Sequence, residues 1–125
     1  MNHDGKTNVL TAPNGPSQEA VIREAWRSAG KEGMEYVYAE CHGTGTPLGD
    51  PIEINALSRV MEGVGKRGLV VGSAKANFGH CESAAGIVGL MKVALSIWHR
   101  SISPHVLVGE VNPLIEFGSN GLELL

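Results

Sequence analysis

The stretch of sequence that decides the fold is residues 36–53, YVYAECHGTGTPLGDPIE. It begins with a short apolar run that is typical of a buried strand, and this run ends near Glu40. A glycine-rich loop that contains His42 follows. Asp50 and Glu53 then have the spacing of a helix capping box, which predicts a helix that Asp50 caps.

The same layout occurs a second time in residues 69–80, LVVGSAKANFGH, where a buried strand precedes a loop that ends at His80. A strand–helix–strand unit crosses over right-handedly and leaves its two strands parallel. Both histidine loops should therefore emerge at the same edge of the sheet, where open α/β sheets hold their ligands. The sequence predicts that His42 and His80 face one crevice.

The rest of the chain completes an α-β-α-β-α-β-β order, which predicts an α/β layer architecture. The segment 83–99 is apolar on nearly all sides, so we expect protein to cover most of this helix. Gly86 and Gly89 each cost this helix roughly 1 kcal/mol of stability, which is tolerable if another backbone packs closely there. The remaining predicted elements are a helix from Ser17, as its cap, to Gly30 and short strands at 102–108 and 122–125.

Composition excludes several classes of protein. The chain has 125 residues, which favours one domain, and its net charge of −3 with scattered Lys and Arg residues argues against nucleic-acid binding. No apolar run approaches the roughly 20 residues of a membrane span, and the first residues do not resemble a secretory signal. Two cysteines cannot form a disulfide framework, so a reduced cytoplasmic location is the expectation.

Two long motifs resemble those of the β-ketoacyl synthases. Residues 40–53 are similar to the first histidine motif of that family, and residues 72–87 are similar to the second. The form of the first motif is closer to multidomain polyketide synthases and animal-type fatty acid synthases than to small dissociated enzymes. The resemblance implies a thiolase-like fold with a buried central helix, and residues 1–125 would form one partial ketosynthase domain, its carboxy-terminal half.

The resemblance also implies an activity, the decarboxylative Claisen condensation of an acyl thioester with malonyl-carrier protein. His42 and His80 match histidines that donate hydrogen bonds to the malonyl thioester oxygen, and Lys75 matches a lysine that orients the site. Thr44 and Thr46 match threonines that line the channel for the phosphopantetheine arm of the acyl carrier protein. That arm is the only cofactor implied, and it belongs to the carrier.

The nucleophilic cysteine of the family lies upstream, in the amino-terminal half of the domain. Cys41 and Cys81 do not match it, and both are interpreted as packing residues. We therefore expect the chain to be inactive alone and to need the missing half, with a homodimer as the state of the intact domain.

Three other functions are open to the same residues. A zinc site at 41–42 and 80–81 is disfavoured, because adjacent residues in extended chain point to opposite sides. A phosphate loop at 65–66 lacks the earlier glycine and the following hydroxyl residue. A non-catalytic fragment, or a half-domain that works only with a partner chain, is the alternative that the sequence leaves open.

Overall fold

A computed structural model of the chain describes residues 13–31, 36–62, 64, 68–106, 109–118 and 121–124. Several segments named above lie outside the described residues: 1–12, which include the start of the chain, the pair 65–66, and the last residues of the two final predicted strands, 107–108 and Leu125.

Within these ranges the sheet has three parallel strands in the order β1-β2-β3, where β1 is Tyr38–Glu40, β2 is Leu69–Gly72 and β3 is Leu122–Leu124. Glu40 pairs with Gly72, so the strands that lead into the two histidine loops end level with each other. The parallel arrangement predicted for the strand–helix–strand unit is confirmed, and both histidine loops leave the sheet at its carboxyl edge.

The described residues include four α-helices: α1 (Gly15–Ser28), α2 (Gly49–Met61), α3 (Lys75–Phe78) and α4 (Ala85–His99), the last after a 3₁₀ turn at Glu82–Ala84. The one-turn helix α3 has too few residues to show a periodic pattern, so the sequence did not predict it. In the part of the chain that the structure describes, no helix combines the length and apolar character needed to cross a membrane.

The helix starts differ from the predicted ones. Helix α1 begins before Ser17, because Asn14 accepts a hydrogen bond from the Ser17 backbone N–H at 3.2 Å and thus caps the helix. Helix α2 begins at Gly49, so Asp50 lies inside its first turn, and the side chain of the N-cap residue Leu48 makes no capping hydrogen bond. The predicted capping box is wrong, because the carboxylates of Asp50 and Glu53 bind the loop before the helix instead.

The predicted strand at 102–108 is also wrong over its described part, since residues 102–106 form no strand. Both sides of β2 are already paired, with β1 and with β3. Pro104 also has no backbone N–H to contribute to a ladder. The segment is instead joined to the sheet through His105, whose Nδ1 accepts a hydrogen bond from the Ser73 N–H at 3.3 Å.

The hydrophobic core lies where α2 meets the sheet. Ile54 of α2 packs with apolar side chains of β2 and β3, and Val60 on the same helix is fully buried. Cys41, the residue after β1, belongs to this cluster and is 8% exposed. The core therefore fixes α2 against the strands and holds the first histidine loop between them. The other members of the cluster are Leu69, Val71 and Leu122.

Helix α4 contacts β1 and the 3₁₀ turn that precedes it, but many of its apolar side chains are exposed, and Gly89 is its one buried residue. The described residues therefore do not supply the cover expected for this apolar helix. A Cβ at Gly89 would lie against the side chain of Glu40, and one at Gly86 would meet no described atom within 4 Å, so the close approach of another backbone at these glycines stays a prediction. The exposed apolar side chains of α4 are Ile87, Leu90, Met91, Leu95, Ile97 and Trp98.

This exposed face predicts that the isolated chain self-associates. Changing Leu95→Lys and Trp98→Lys together should reduce association, because these side chains are 55% and 82% exposed and contribute little to the folded chain itself. Burying two large apolar side chains between copies of the chain contributes about 3 kcal/mol or more to association. The dissociation constant of the self-associated form should therefore rise by roughly 100-fold in the double variant. Light scattering across a concentration series measures it. A parent chain that stays a monodisperse monomer would contradict this expectation.

Candidate functional site

Two carboxylates of α2 hold the first histidine loop. Glu53 accepts hydrogen bonds from the backbone N–H groups of His42 at 2.6 Å and Gly43 at 2.9 Å. Asp50 accepts from the N–H of Gly45 with both oxygens, at 3.2 and 3.1 Å. The backbone N–H groups of a loop are not paired with a neighbouring strand, so they need other hydrogen-bond acceptors. Ionised acceptors form stronger hydrogen bonds than neutral ones. The loop is thus fixed to the helix that follows it.

The buried side chain of Ser73 joins the two histidine loops. Its hydroxyl donates to the His42 carbonyl at 3.3 Å and accepts from the Lys75 N–H at 3.3 Å. Gly43 permits this approach, because its φ is +48° and a Cβ there would lie 2.8 Å from the Ser73 Cβ. The end of β2 and the start of the first loop therefore form one connected unit.

The second loop fixes the orientation of its histidine. The Nδ1 atom of His80 accepts a hydrogen bond from the Glu82 backbone N–H at 2.9 Å. A neutral imidazole has one N–H, and since Nδ1 is an acceptor here the proton belongs on Nε2. The neutral His80 side chain thus presents an N–H donor on the opposite side of the ring from Glu82.

The structure brings the two predicted histidines together. The ring centroids of His42 and His80 lie 5.4 Å apart, and the ring planes meet at 86° in an edge-to-face arrangement. Both residues are exposed. Two imidazoles at this separation can address a single small group placed between them.

The other predicted site residues lie around this pair. Lys75 and Thr44 line one cavity of about 430 Å³ with His80. Thr44 and Thr46 line a second cavity, of about 660 Å³, with His42. The two threonine hydroxyls are 3.4 Å apart, and that of Thr46 also accepts from a backbone N–H at the start of α2. Of the predicted site residues, His42 and Thr46 do not line the cavity that His80 lines.

The two cysteines differ in environment. Burial raises the pKa of the Cys41 thiol well above its usual value, and the negative charges of Glu53 and Glu40 add to the effect. A thiol in that state is a poor nucleophile at neutral pH. Cys81 is half-buried beside the Gly79 carbonyl. Over the described ranges, no three His, Cys, Asp or Glu side chains are grouped as metal ligands.

Sequence reasoning missed the residues that support the site. Asp50 and Glu53 fit the spacing of a capping box, and the sequence carries no signal that assigns their carboxylates to the N–H groups of the loop instead. Ser73 and His105 gave no signal. Burial, and secondarily the charge of Lys92, lower the pKa of His105, although Glu40 opposes the shift. The neutral ring is the form that can accept from the Ser73 N–H.

Comparison with known sequences gives a match over most of the chain. Residues 1–108 match the family described as beta-ketoacyl synthase, C-terminal domain. The chain is 45% identical over 126 residues to erythronolide synthase EryA3 of Saccharopolyspora erythraea, which covers 99% of the chain and 4% of that protein. It is 47% identical over 119 residues to polyketide synthase PksL of Bacillus subtilis, covering 94% of the chain and 3% of that protein.

Solved structures give the same result. The ketosynthase from module 6 of the bacillaene synthase of Bacillus subtilis 168 superposes with a TM-score of 0.91 at 39% identity, over 99% of this chain and 22% of that one. The oxazolomycin ketosynthase domain OzmH KS7 of Streptomyces albus gives 0.90 at 37%, over 98% and 22%. The predicted thiolase-like α/β fold is confirmed. The chain spans about a fifth of these ketosynthases and a few per cent of the curated relatives.

Proposed function

The chain belongs to the β-ketoacyl synthase family, and we propose that residues 1–125 form the carboxy-terminal part of one ketosynthase domain that acts in polyketide or fatty acid biosynthesis. The relatives named above are polyketide synthases, which favours the polyketide pathway. Because the chain spans 22% of the solved ketosynthases, the remainder of the domain must come from polypeptide outside these residues.

The proposed reaction is a decarboxylative Claisen condensation. The malonyl thioester loses CO₂ when its carbon–carboxylate bond breaks, and the electron pair remains as an enolate. The enolate carbon then bonds to the carbonyl carbon of an acyl thioester, and the thiolate of that thioester leaves. Negative charge develops on the malonyl thioester oxygen, so preorganised hydrogen-bond donors aimed at this oxygen accelerate the step.

The observation that carries the proposal is the histidine pair. His42 and His80 lie with ring centroids 5.4 Å apart, and the Glu82 N–H occupies Nδ1 of His80. The neutral His80 ring is therefore set to donate through Nε2. We assign both imidazoles to the malonyl thioester oxygen, as donors already in place when charge develops.

The remaining residues are assigned to substrate placement. Lys75 shares a cavity with His80, and its positive charge orients the site there. The hydroxyls of Thr44 and Thr46, 3.4 Å apart, suit the amide groups of the phosphopantetheine arm carried by the acyl carrier protein. The partners are then that carrier and its acyl and malonyl thioesters, and the chain needs no cofactor of its own.

The nucleophile is assigned to the rest of the domain. Cys41 is buried in the core with a raised thiol pKa, which supports a packing role. We place the intact domain, a homodimer, in the cytoplasm, where the free thiols Cys41 and Cys81 stay reduced.

A first test is the activity of the isolated chain. Incubated with an acyl donor and malonyl-carrier protein, it should yield no ketoacyl product, because neither of its cysteines stands in a nucleophile setting. The same segment joined to the remainder of a ketosynthase domain should condense the two substrates, and mass spectrometry of the carrier measures the ketoacyl product in both experiments. Turnover by the isolated chain that is lost in Cys41→Ser or Cys81→Ser would contradict the assignment.

A further inference from the structure

A buried ion pair lies behind the two histidine loops. Glu40, the last residue of β1, accepts from Lys92 of α4 at 3.0 Å between Oε2 and Nζ, and both side chains are only 11% exposed. A pair this buried contributes little net stability over apolar side chains of the same volume, but losing one partner is costly. Net stability therefore does not explain why an ion pair lies at this position.

Both oxygens of the Glu40 carboxylate are used. Oε2 also accepts from the Tyr38 hydroxyl at 2.5 Å, and Oε1 accepts from the Ala74 backbone N–H at 2.5 Å. Burial, reinforced by Glu40, raises the pKa of Tyr38 and keeps its hydroxyl a donor. One carboxylate thus joins β1, α4 and the turn that follows β2.

Two glycines leave room for this cluster. A Cβ at Gly89 would lie 3.0 Å from the Glu40 Cγ, so a side chain at that position would push α4 away from the carboxylate. A Cβ at Gly72 would lie 2.9 Å from the Tyr38 hydroxyl and 3.5 Å from the Lys92 Nζ. The backbone at both positions is therefore fitted to the ion pair.

The hydrogen bond from the Ala74 N–H to Glu40 connects this buried cluster to the two histidine loops. Ala74 immediately precedes Lys75, and α3 then leads to His80, whereas Glu40 lies two residues before His42. We propose that Glu40 is a positioning residue, held in place by Lys92, whose carboxylate fixes the backbone at Ala74 and so sets the separation of the two imidazoles. The inference rests on the proposed function in one respect, because it takes the two imidazoles as the catalytic groups.

Matched double variants of the intact ketosynthase separate positioning from stability. Glu40→Gln/Lys92→Met removes the ion pair but keeps an amide oxygen for the Ala74 N–H and a polar group for Tyr38. Glu40→Met/Lys92→Met also removes the charges, yet leaves the Ala74 N–H without its acceptor. Both replacements fill the volume of the pair, but the methionine protein should melt at a lower temperature, because the Ala74 N–H and the Tyr38 hydroxyl lose their acceptor.

The two variants should differ in catalysis. Glu40→Gln/Lys92→Met is expected to decarboxylate malonyl-carrier protein near the parental rate. Glu40→Met/Lys92→Met is expected to lose about 10–100-fold in kcat with KM unchanged, since a displacement of about 1 Å can cost 10² in rate. Acyl loading should be unaffected in both. Glu19→Gln/Arg59→Met, which removes the surface pair between α1 and α2, is the control and should not change kcat.

Ala74→Pro provides an independent variant if the methionine protein does not fold. It removes the N–H donor at a φ of −62° that suits proline, and its ring also displaces the Glu40 Oε1 atom, which lies 2.5 Å from the Ala74 nitrogen. It should reproduce the fall in kcat with Glu40 and Lys92 intact.

Crystal structures of the same proteins give a readout that needs no activity. The His42–His80 centroid distance of 5.4 Å should persist in the glutamine variant and lengthen in the methionine and proline variants. An unchanged distance and equal kcat in all of them would overturn the positioning role. A parent that does not decarboxylate would count against the proposed function alone, because the distances still decide the positioning role.

Discussion

In the intact ketosynthase, His42→Ala and His80→Ala are each expected to lower the rate of condensation by about 10²–10³-fold, which is the usual effect of removing one oxyanion donor. The loss should appear in kcat, because the hydrogen bonds strengthen only as charge develops on the malonyl thioester oxygen. Steady-state kinetics with malonyl-carrier protein measures it. His99→Ala, at the exposed last residue of α4, is the matched control and should retain the parental rate.

The double variant tests whether the histidines act as a unit. With ring centroids 5.4 Å apart, both address one oxygen in the proposed mechanism, so the combined loss should be smaller than the product of the single losses. Fully multiplicative losses would show that the two side chains act in separate steps. That result would contradict the assignment to a common oxygen.

The second large effect is expected for Glu53→Ala. This change removes the acceptor of the His42 and Gly43 N–H groups, two charge-assisted bonds at 2.6 and 2.9 Å. The free energy of unfolding should fall by about 1.5–3 kcal/mol, and a displaced His42 ring should cost about 10² in decarboxylation rate. Denaturant melts and kinetics on the intact ketosynthase measure the two effects.

Glu53→Gln distinguishes the geometry from the charge. A glutamine amide has one oxygen for two N–H donors, and its own NH₂ group would face the second of them. Its effect should therefore approach that of Glu53→Ala. Parental stability and rate in the glutamine variant would show that Glu53 does not hold the loop.

The sequence was sufficient to predict the part of the fold that positions the site. Two apolar runs, each followed by a glycine-rich loop with a histidine, predict parallel strands whose loops share one edge, since the handedness of the crossover is almost invariant. The observed pairing of Glu40 with Gly72 and the contact between His42 and His80 follow from that rule.

Contacts between distant residues could not be predicted in the same way. The spacing of Asp50 and Glu53 suits a capping box, and it also suits carboxylates that accept hydrogen bonds from the N–H groups of the preceding loop. Only the path of the loop decides between the two. Asn14 and Ser17 are both good caps, so the helix start was ambiguous. The Glu40–Lys92 pair joins β1 to a helix far along the chain, and no periodic pattern connects them.

The segment 102–106 shows a further limit. Its end residues Ile102 and Val106 favour a strand, yet a strand needs a partner for its ladder, and this segment pairs with none of the three described strands. The same limit applies to α4, since its apolar pattern predicts burial without saying which polypeptide provides the cover.

The most direct test of the central claim is to follow CO₂ release and acyl-enzyme formation separately in the intact ketosynthase, for the parent, His42→Ala and His80→Ala. If the two imidazoles stabilise the enolate, both variants should form acyl-enzyme at close to the parental rate and release CO₂ about 10²–10³-fold more slowly. CO₂ release at the parental rate in either variant would show that its histidine is structural, and the proposed function of the pair would be wrong.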